Sequence, residues 1–168
     1  AENEEVGIAI HRMEELLDNI LQKVQANSYR AFLTGSKNFR KEVYPEYKAN
    51  RTSPKPKWLQ ECREYAIANL GAEVALENLE ADDMLGIYQT VDTIICSLDK
   101  DLLQIPGKHF QWEIQGGPEN KRWVKAESFI TQTQLEGSRL FYEQCLKGDT
   151  SDNVKGVKGL GEAKAKKL

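Results

Sequence analysis

The sequence predicts an α/β fold with a mostly parallel central sheet and helices on both faces. Three observations carry this expectation. Short β-rich runs alternate with helical periods along the chain, the pattern of parallel strands joined by helical crossovers. The run Thr93-Ile94-Ile95-Cys96-Ser97-Leu98 is largely apolar, as a strand covered on both faces requires. Acidic residues fall at strand ends and helix starts, and in such sheets active sites lie beyond the carboxyl ends of the strands.

Each element follows from local pattern. Residues 5–25 place Ile8, Ile10, Met13, Leu16, Leu17, Ile20, Leu21 and Val24 on one broad apolar face at helical spacing. Asn27-Ser28 ends this helix, and 29–34 reads as a short strand stopped by Gly35. From Ser36 to Lys57 the chain is polar and basic and holds Pro45, Pro54 and Pro56, which predicts an irregular, mobile segment. A second helix runs from Ser53 or Pro54 to Leu70 and stops at Gly71. Residues 72–76 form a strand, 80–91 a helix and 93–98 the apolar strand. Two short strands, 109–114 and 122–125, flank a turn at 115–120. A helix at 135–146 precedes a tail rich in Gly and Lys.

Composition excludes several classes. The chain has 168 residues, 40% hydrophobic and 29% charged, the balance of one soluble domain. Its net charge of −3, from 26 acids and 23 bases, is not that of a uniformly basic nucleic-acid binder. Cys62, Cys96 and Cys145 show no CxxC or Cys/His spacing, which argues against zinc or a disulfide framework and fits a reducing cytosol. No apolar run approaches the ~20 residues of a membrane span, and no secretory pattern opens the chain. The sequon Asn50-Arg51-Thr52 is then a chance match. His11 and His109 lack partners at useful spacing and read as structural or solvent-facing. Trp58, Trp112 and Trp123 read as core or edge anchors. No Ser/His/Asp or Cys/His set points to nucleophilic catalysis.

Carboxylates carry the chemical signal. Glu80, Asp82 and Asp83 lie at a helix start, with Glu80 and Asp83 three apart on one face. Asp99 and Asp101 follow the apolar strand and point the same way if the chain stays extended. Asp149 and Asp152, again three apart, lie in Gly148-Asp149-Thr150-Ser151-Asp152-Asn153. Hard divalent cations take oxygen ligands, and two ions ~4 Å apart can orient the water and leaving oxygen of a phosphodiester. Each group alone is also what a helix cap or turn would use. Together they favour metal binding. The tail carries Gly156, Gly159 and Gly161, where backbone N–H groups can approach a phosphate. Lys155, Lys158, Lys164, Lys166 and Lys167 make a local basic patch there.

Glu80-Ala81-Asp82-Asp83, Ser97-Leu98-Asp99-Lys100-Asp101, Gly148 to Asn153 and Gly156-Val157-Lys158-Gly159-Leu160-Gly161 resemble, in order, the motifs of the 5′–3′ exonuclease and flap endonuclease family. Phe39-Arg40-Lys41 and Pro45 to Arg51 resemble its upstream basic segment. The resemblance implies a PIN/5′-nuclease-like core over 1–147, with 36–57 as a basic arch. It makes 148–168 the start of a helix–three-turn–helix DNA-binding element. It implies metal ligation by Glu80, Asp82, Asp83, Asp99, Asp101, Asp149 and Asp152, with two magnesium or manganese ions and potassium as a candidate at the glycine hairpin. Arg40 and Lys48 would act in catalysis, Lys48 by positioning the scissile phosphate. Tyr47 would stack on a base or pack on the arch. Arg51, Lys155, Gly156, Lys158, Gly159, Gly161 and Lys164 would bind DNA. Partners would be DNA with 5′ flaps, nicks or free 5′ ends, cut by a monomer in the cytoplasm of a bacterial or phage-infected cell, with no membrane involved. The arch would be poorly ordered until a 5′ strand enters.

The chain departs from the family twice. No opening strand with an Asp precedes residue 28, and Thr34-Gly35-Ser36 stands where another Asp is expected. The chain therefore reads as a fragment of a longer protein. Two alternatives follow: a catalytically degenerate binder of branched DNA, and a PIN-type ribonuclease, against which the glycine motif and basic tail argue.

Overall fold

The computed structural model describes residues 5–117 and 121–166. The chain forms two compact units. One takes the chain up to Pro45 together with Arg51–Ile87, and the other takes Glu46–Asn50 and the chain from Tyr88 onward. No described helix is long and apolar enough to cross a membrane.

The first unit opens with helix α1 (Val6–Val24), ended by Gln25 in the left-handed region at φ 53°. Strand β1 (Phe32–Leu33) later pairs in parallel with β2 (Glu73–Val74), Phe32 opposite Glu73. Arg30 grips the Glu73 carboxylate beside this pair with hydrogen bonds of 2.8 and 2.7 Å. Between the strands run α2 (Phe39–Val43) and α3 (Leu59–Asn69). Gly71 closes α3 as the sequence predicts. It takes φ 65°, and the next residue, Ala72, donates its N–H to the Ala66 carbonyl at 3.0 Å. Helix α3 packs on α1, where the Tyr65 hydroxyl donates to Glu14 at 2.6 Å. Helix α4 (Ala81–Ile87) follows β2. Its first N–H, on Ala81, donates to the Thr34 hydroxyl at 3.0 Å, which ties the end of β1 to the start of α4.

The second unit is built on a three-stranded sheet in the order β3 (Ile94–Cys96), β4 (Gly107–Gln111), β7 (Ser128–Gln132). The first pair is parallel and the second antiparallel. Ile95, Leu102 and Phe110 are buried. Phe110 lies opposite Phe129 in the ladder, the ring centroids 4.7 Å apart. His109 is buried, with Nε2 2.8 Å from the Ile105 carbonyl oxygen, a structural role. Strands β5 (Ile114–Gly116) and β6 (Trp123–Lys125) form an antiparallel hairpin in which the Trp123 ring covers Gly116. Pro118–Asn120 of the expected turn lie outside the described residues.

A 3-10 helix, η1 (Lys100–Gln104), follows β3. Helix α5 (Gln134–Lys147) starts in a capping box, with Thr133 and Glu136 satisfying each other's backbone N–H groups. Strands β8 (Gly148–Asp149) and β9 (Val154–Lys155) pair antiparallel, and α6 (Glu162–Ala165) follows.

The α/β class stands, with parallel pairs and an antiparallel addition. Several boundaries move. The expected strands at 29–34 and 72–76 shorten to two residues each, because only that stretch finds a paired partner. The helix expected from residue 53 starts at Leu59. The strand expected at 109–114 divides into β4 and β5, and β7, in a stretch given no element from the sequence, completes the sheet. Strand β3 buries only Ile95, with its neighbours half-covered. The segment 36–57 is not irregular throughout. It holds α2, capped by Asn38, and a turn at 46–50 that belongs to the second unit.

Two predictions follow from this packing. Helix α5 meets η1 at Gly137, where an added Cβ would lie 2.3 Å from the Gln104 carbonyl oxygen. Gly137→Ala should therefore cost about 1–3 kcal/mol by overpacking. Gly7→Ala in α1, whose Cβ would meet nothing within 4 Å, should hold or raise the melting temperature. Thermal melts that moved both variants equally would contradict the contact. Burial pushes the Cys96 thiol in β3 up to about 11, whereas Cys145 is exposed. A thiol reagent at about pH 8 should label Cys145 well before Cys96, and equal rates would mean that β3 does not protect its thiol.

Candidate functional site

The first acidic group is assembled within the first unit. Asp83 accepts the Glu80 N–H at 2.8 Å through Oδ2, and the Glu80 carbonyl accepts the Asp83 N–H at 3.1 Å. This is the capping role that first-turn acids commonly fill. The same carboxylate also meets Arg40, whose guanidinium donates to Oδ2 at 2.8 Å and to Oδ1 at 2.6 Å. Arg40 also stands 3.5 Å from the Glu80 carboxylate, and Glu80 is buried. Asn38 sets the base in place by accepting the Arg40 N–H at 2.9 Å at the start of α2. Asp82 lies half-buried in the same first turn of α4.

The second and third groups belong to the second unit. After β3 the chain turns at once into η1, so Asp99 and Asp101 do not alternate along an extended strand. Asp99 caps η1 instead, its side chain accepting the Asp101 N–H at 2.9 Å. Burial and the neighbouring Asp99 carboxylate push the Asp101 carboxyl up, and Asp149 adds to this against a hydrogen bond from Gln144. Asp149 is buried. Burial would raise its carboxyl, but Ser151 and Gln144 overcome that and hold it at about 2. The Ser151 N–H donates to Oδ1 at 2.7 Å, the Ser151 hydroxyl donates to the same oxygen, and Gln144 donates to Oδ2 at 2.8 Å.

Asp152 faces Lys48, with Nζ 3.9 Å from Oδ2. Lys48 Nζ also lies 4.7 Å above the Tyr47 ring, and Tyr47 is buried. Of its two expected roles, the geometry gives Tyr47 the packing one. Arg51, Lys155, Lys158 and Lys164 are exposed. Lys164 donates to the Gly159 carbonyl at 3.1 Å, and Lys167 lies outside the described residues. The glycines differ in what they allow. A Cβ on Gly156 would lie 2.2 Å from the Lys147 carbonyl carbon. The close crossing of the β8–β9 hairpin therefore already requires glycine there. Gly159 takes φ 84° in open space, and Gly161 precedes α6 with no neighbour within 4 Å.

Among the described residues, no three Asp, Glu, His or Cys side chains stand close enough together to hold a metal ion. The donors are nonetheless carboxylate oxygens throughout, which suits a hard divalent cation. Asp99 and Asp149 both press on Asp101 as like charges, a tension that a cation would relieve. The residues fit such an ion in chemistry, while Arg40, Gln144, Ser151 and Lys48 now occupy their oxygens. Sequence reasoning missed Gln144, Ser151 and Thr34, whose polar side chains carry no signal until the fold shows what they face.

A model of the family described as 5′–3′ exonuclease, N-terminal resolvase-like domain, matches residues 2–134. The chain is 34% identical over 143 residues to a 5′–3′ exonuclease of Bacillus subtilis (strain 168), covering 80% of this chain and 48% of that protein. It is 30% identical over 175 residues to DNA polymerase I of Bacillus caldotenax, covering 95% of this chain and 20% of that protein. The chain thus spans about half the length of the first relative and a fifth of the second. Among solved structures it resembles a bacteriophage T5 flap endonuclease in a pseudo-enzyme–product complex with DNA and metal ions. That likeness has a TM-score of 0.68 at 16% identity, over 99% of this chain and 66% of that one. A T5 5′-exonuclease with divalent zinc ions bound gives a TM-score of 0.66 at 17% identity, over 94% of this chain and 65% of that one. At such identities the likeness establishes the fold.

Proposed function

We propose a function for this chain from its kinship: it belongs to the family of 5′–3′ exonuclease N-terminal, resolvase-like domains. Its activity is metal-dependent hydrolysis of DNA phosphodiesters at 5′ flaps, nicks or free 5′ ends, in replication or repair. Residues 1–147 form the nuclease core, and 148–168 begin the element that grips duplex DNA.

The observation that carries this reading is the pairing of acids with bases. Arg40 closes on Asp83 and Glu80, and Lys48 faces Asp152. Ligands for phosphate and ligands for a cation thus neutralise one another until both arrive. Glu80, Asp82, Asp83, Asp99, Asp101, Asp149 and Asp152 would hold two magnesium or manganese ions. When bound, such ions supply an activated water and neutralise phosphate charge. Arg40 in the first unit and Lys48 in the second would each turn from its carboxylate to a phosphate oxygen. Gln144 and Ser151 hold Asp149 ionised and aimed. Arg51 and the tail lysines 155, 158 and 164 take backbone phosphates, and Gly159 leaves room for a potassium ion or a phosphate at the hairpin. A protein acting on DNA in this way would work in the cytoplasm, as a monomer and away from membranes. A T5 flap endonuclease solved with DNA and metal ions shares this fold, which supports reading the chain as a metal-dependent nuclease of DNA.

One observation favours a second reading, a binder of branched DNA that no longer cuts. A Cβ on Gly35 would make only ordinary contacts, 3.6 Å to Val74 and 3.9 Å to the Ala75 carbonyl. Packing therefore does not account for the lack of a carboxylate there.

A 5′-labelled flap substrate separates the readings. The nuclease cuts it with magnesium or manganese and stops with chelator, whereas the degenerate binder retains it uncut. Asp101→Ala should lower cleavage about 100-fold or more, since charge stabilisation at the phosphate is lost, while DNA affinity holds. Near-normal cleavage by this variant would remove Asp101 from the site. With about three to six phosphate contacts, the slope of log affinity against log salt should be about −3 to −5. A flat response would mean that the lysines do not touch phosphate.

A further inference from the structure

The turn Glu46–Asn50 sits with the second unit although the chain on either side belongs to the first. Three hydrogen bonds join it to the loop that carries Asp149 and Asp152. The Asn50 amide donates to the Thr150 carbonyl at 2.8 Å. The Asn153 amide donates in the opposite direction, from the loop to the Glu46 carbonyl, also at 2.8 Å. Between them the Lys48 N–H donates to the Asp152 carbonyl at 2.9 Å. Lys48 and Asn153 both take left-handed backbone angles, φ 55° and 60°, which a non-glycine residue holds only where its surroundings over-determine it.

We propose that Asn50 and Asn153 are positioning residues that clamp this turn onto the acidic loop and so fix Lys48 in line with the phosphate to be cut. The inference rests on the nuclease reading above, in which Lys48 meets that phosphate. The chemistry of the clamp selects asparagine. Both acceptors are backbone carbonyls, so the reaching side chain must donate, and a carboxylate would be repelled by Asp149 and Asp152. Asparagine also tolerates the left-handed angle at 153 better than most residues. A lysine ammonium is a point charge on a flexible stem. Its aim therefore depends on its backbone, held by the clamp, and on the buried Tyr47 ring, over whose centroid Nζ lies at 4.7 Å. Misplacement by about 1 Å can cost about 100-fold in rate.

The test uses Asn50→Ala and Asn153→Gly, the second keeping the left-handed angle while removing the amide. Two readouts separate the clamp from its purpose. Hydrogen exchange at the Lys48 amide should speed up about tenfold in each variant, and unchanged exchange overturns the clamp. Single-turnover cleavage of saturating flap DNA should fall about 10–100-fold with DNA affinity within twofold, and should fall no further when either change is added to Lys48→Ala. Faster exchange with unaltered cleavage overturns the positioning role. So do losses that add in the Lys48→Ala background, since they mark a structural defect independent of Lys48. A wild-type protein that binds but does not cut sinks the nuclease reading and the positioning role with it, while the exchange result still decides the clamp.

Discussion

Crowded like charge is the constraint on which this molecule turns. Like-charged carboxylates brought near one another repel, as Asp99 and Asp149 do at Asp101, so they need compensation. Each unit compensates by its own means. In the first, Arg40 bridges Asp83 and Glu80. In the second, Gln144 and Ser151 donate to Asp149, and Lys48 faces Asp152. The elements around these acids serve that arrangement. Asn38 starts α2 so that Arg40 arrives, Thr34 fixes the first turn of α4, and η1 begins with an acid as its own cap. Under the proposed function, Arg40 and Lys48 are also the groups that would meet phosphate, so these contacts are the ones a substrate would exchange.

Long helices were legible in the sequence because their apolar period and stop signals are local. The residues Ile8 to Val24 and the Gly71 stop at α3 are where the pattern placed them. Strand ends were not, since a strand extends only as far as a partner exists, and β1 and β2 match for two residues. Strand β7 could have been found. Ser128-Phe129-Ile130-Thr131-Gln132 is rich in strand-forming residues, and Thr133 with Glu136 marks the start of the next helix. Element η1 could not, because a five-residue 3-10 turn has no period to read.

The acids of the candidate site were legible in the sequence, and their surroundings were not. Ordered motifs pointed to Asp83, Asp101 and Asp149, but the role of Asp83 as a cap, and the turn that brings Asp99 onto the Asp101 N–H, depend on local geometry. Asn50 and Thr150 are 100 residues apart, and Glu46 and Asn153 are 107 apart. No spacing rule reaches that far. Tyr47 shows the limit from the other side. Its basic neighbours left stacking on a base and packing on the arch both open, and only the fold shows that the ring is buried beneath Lys48.

Anomalous diffraction from manganese-soaked crystals tests the central claim most directly, that these carboxylates exist to hold divalent cations. The account predicts anomalous peaks bonded to oxygens of the Asp82–Asp83 group and of the Asp99, Asp101, Asp149 and Asp152 group, with Arg40 swung off Asp83. Crystals saturated with manganese that show no peak at either group, with the Arg40–Asp83 pair intact, would contradict it.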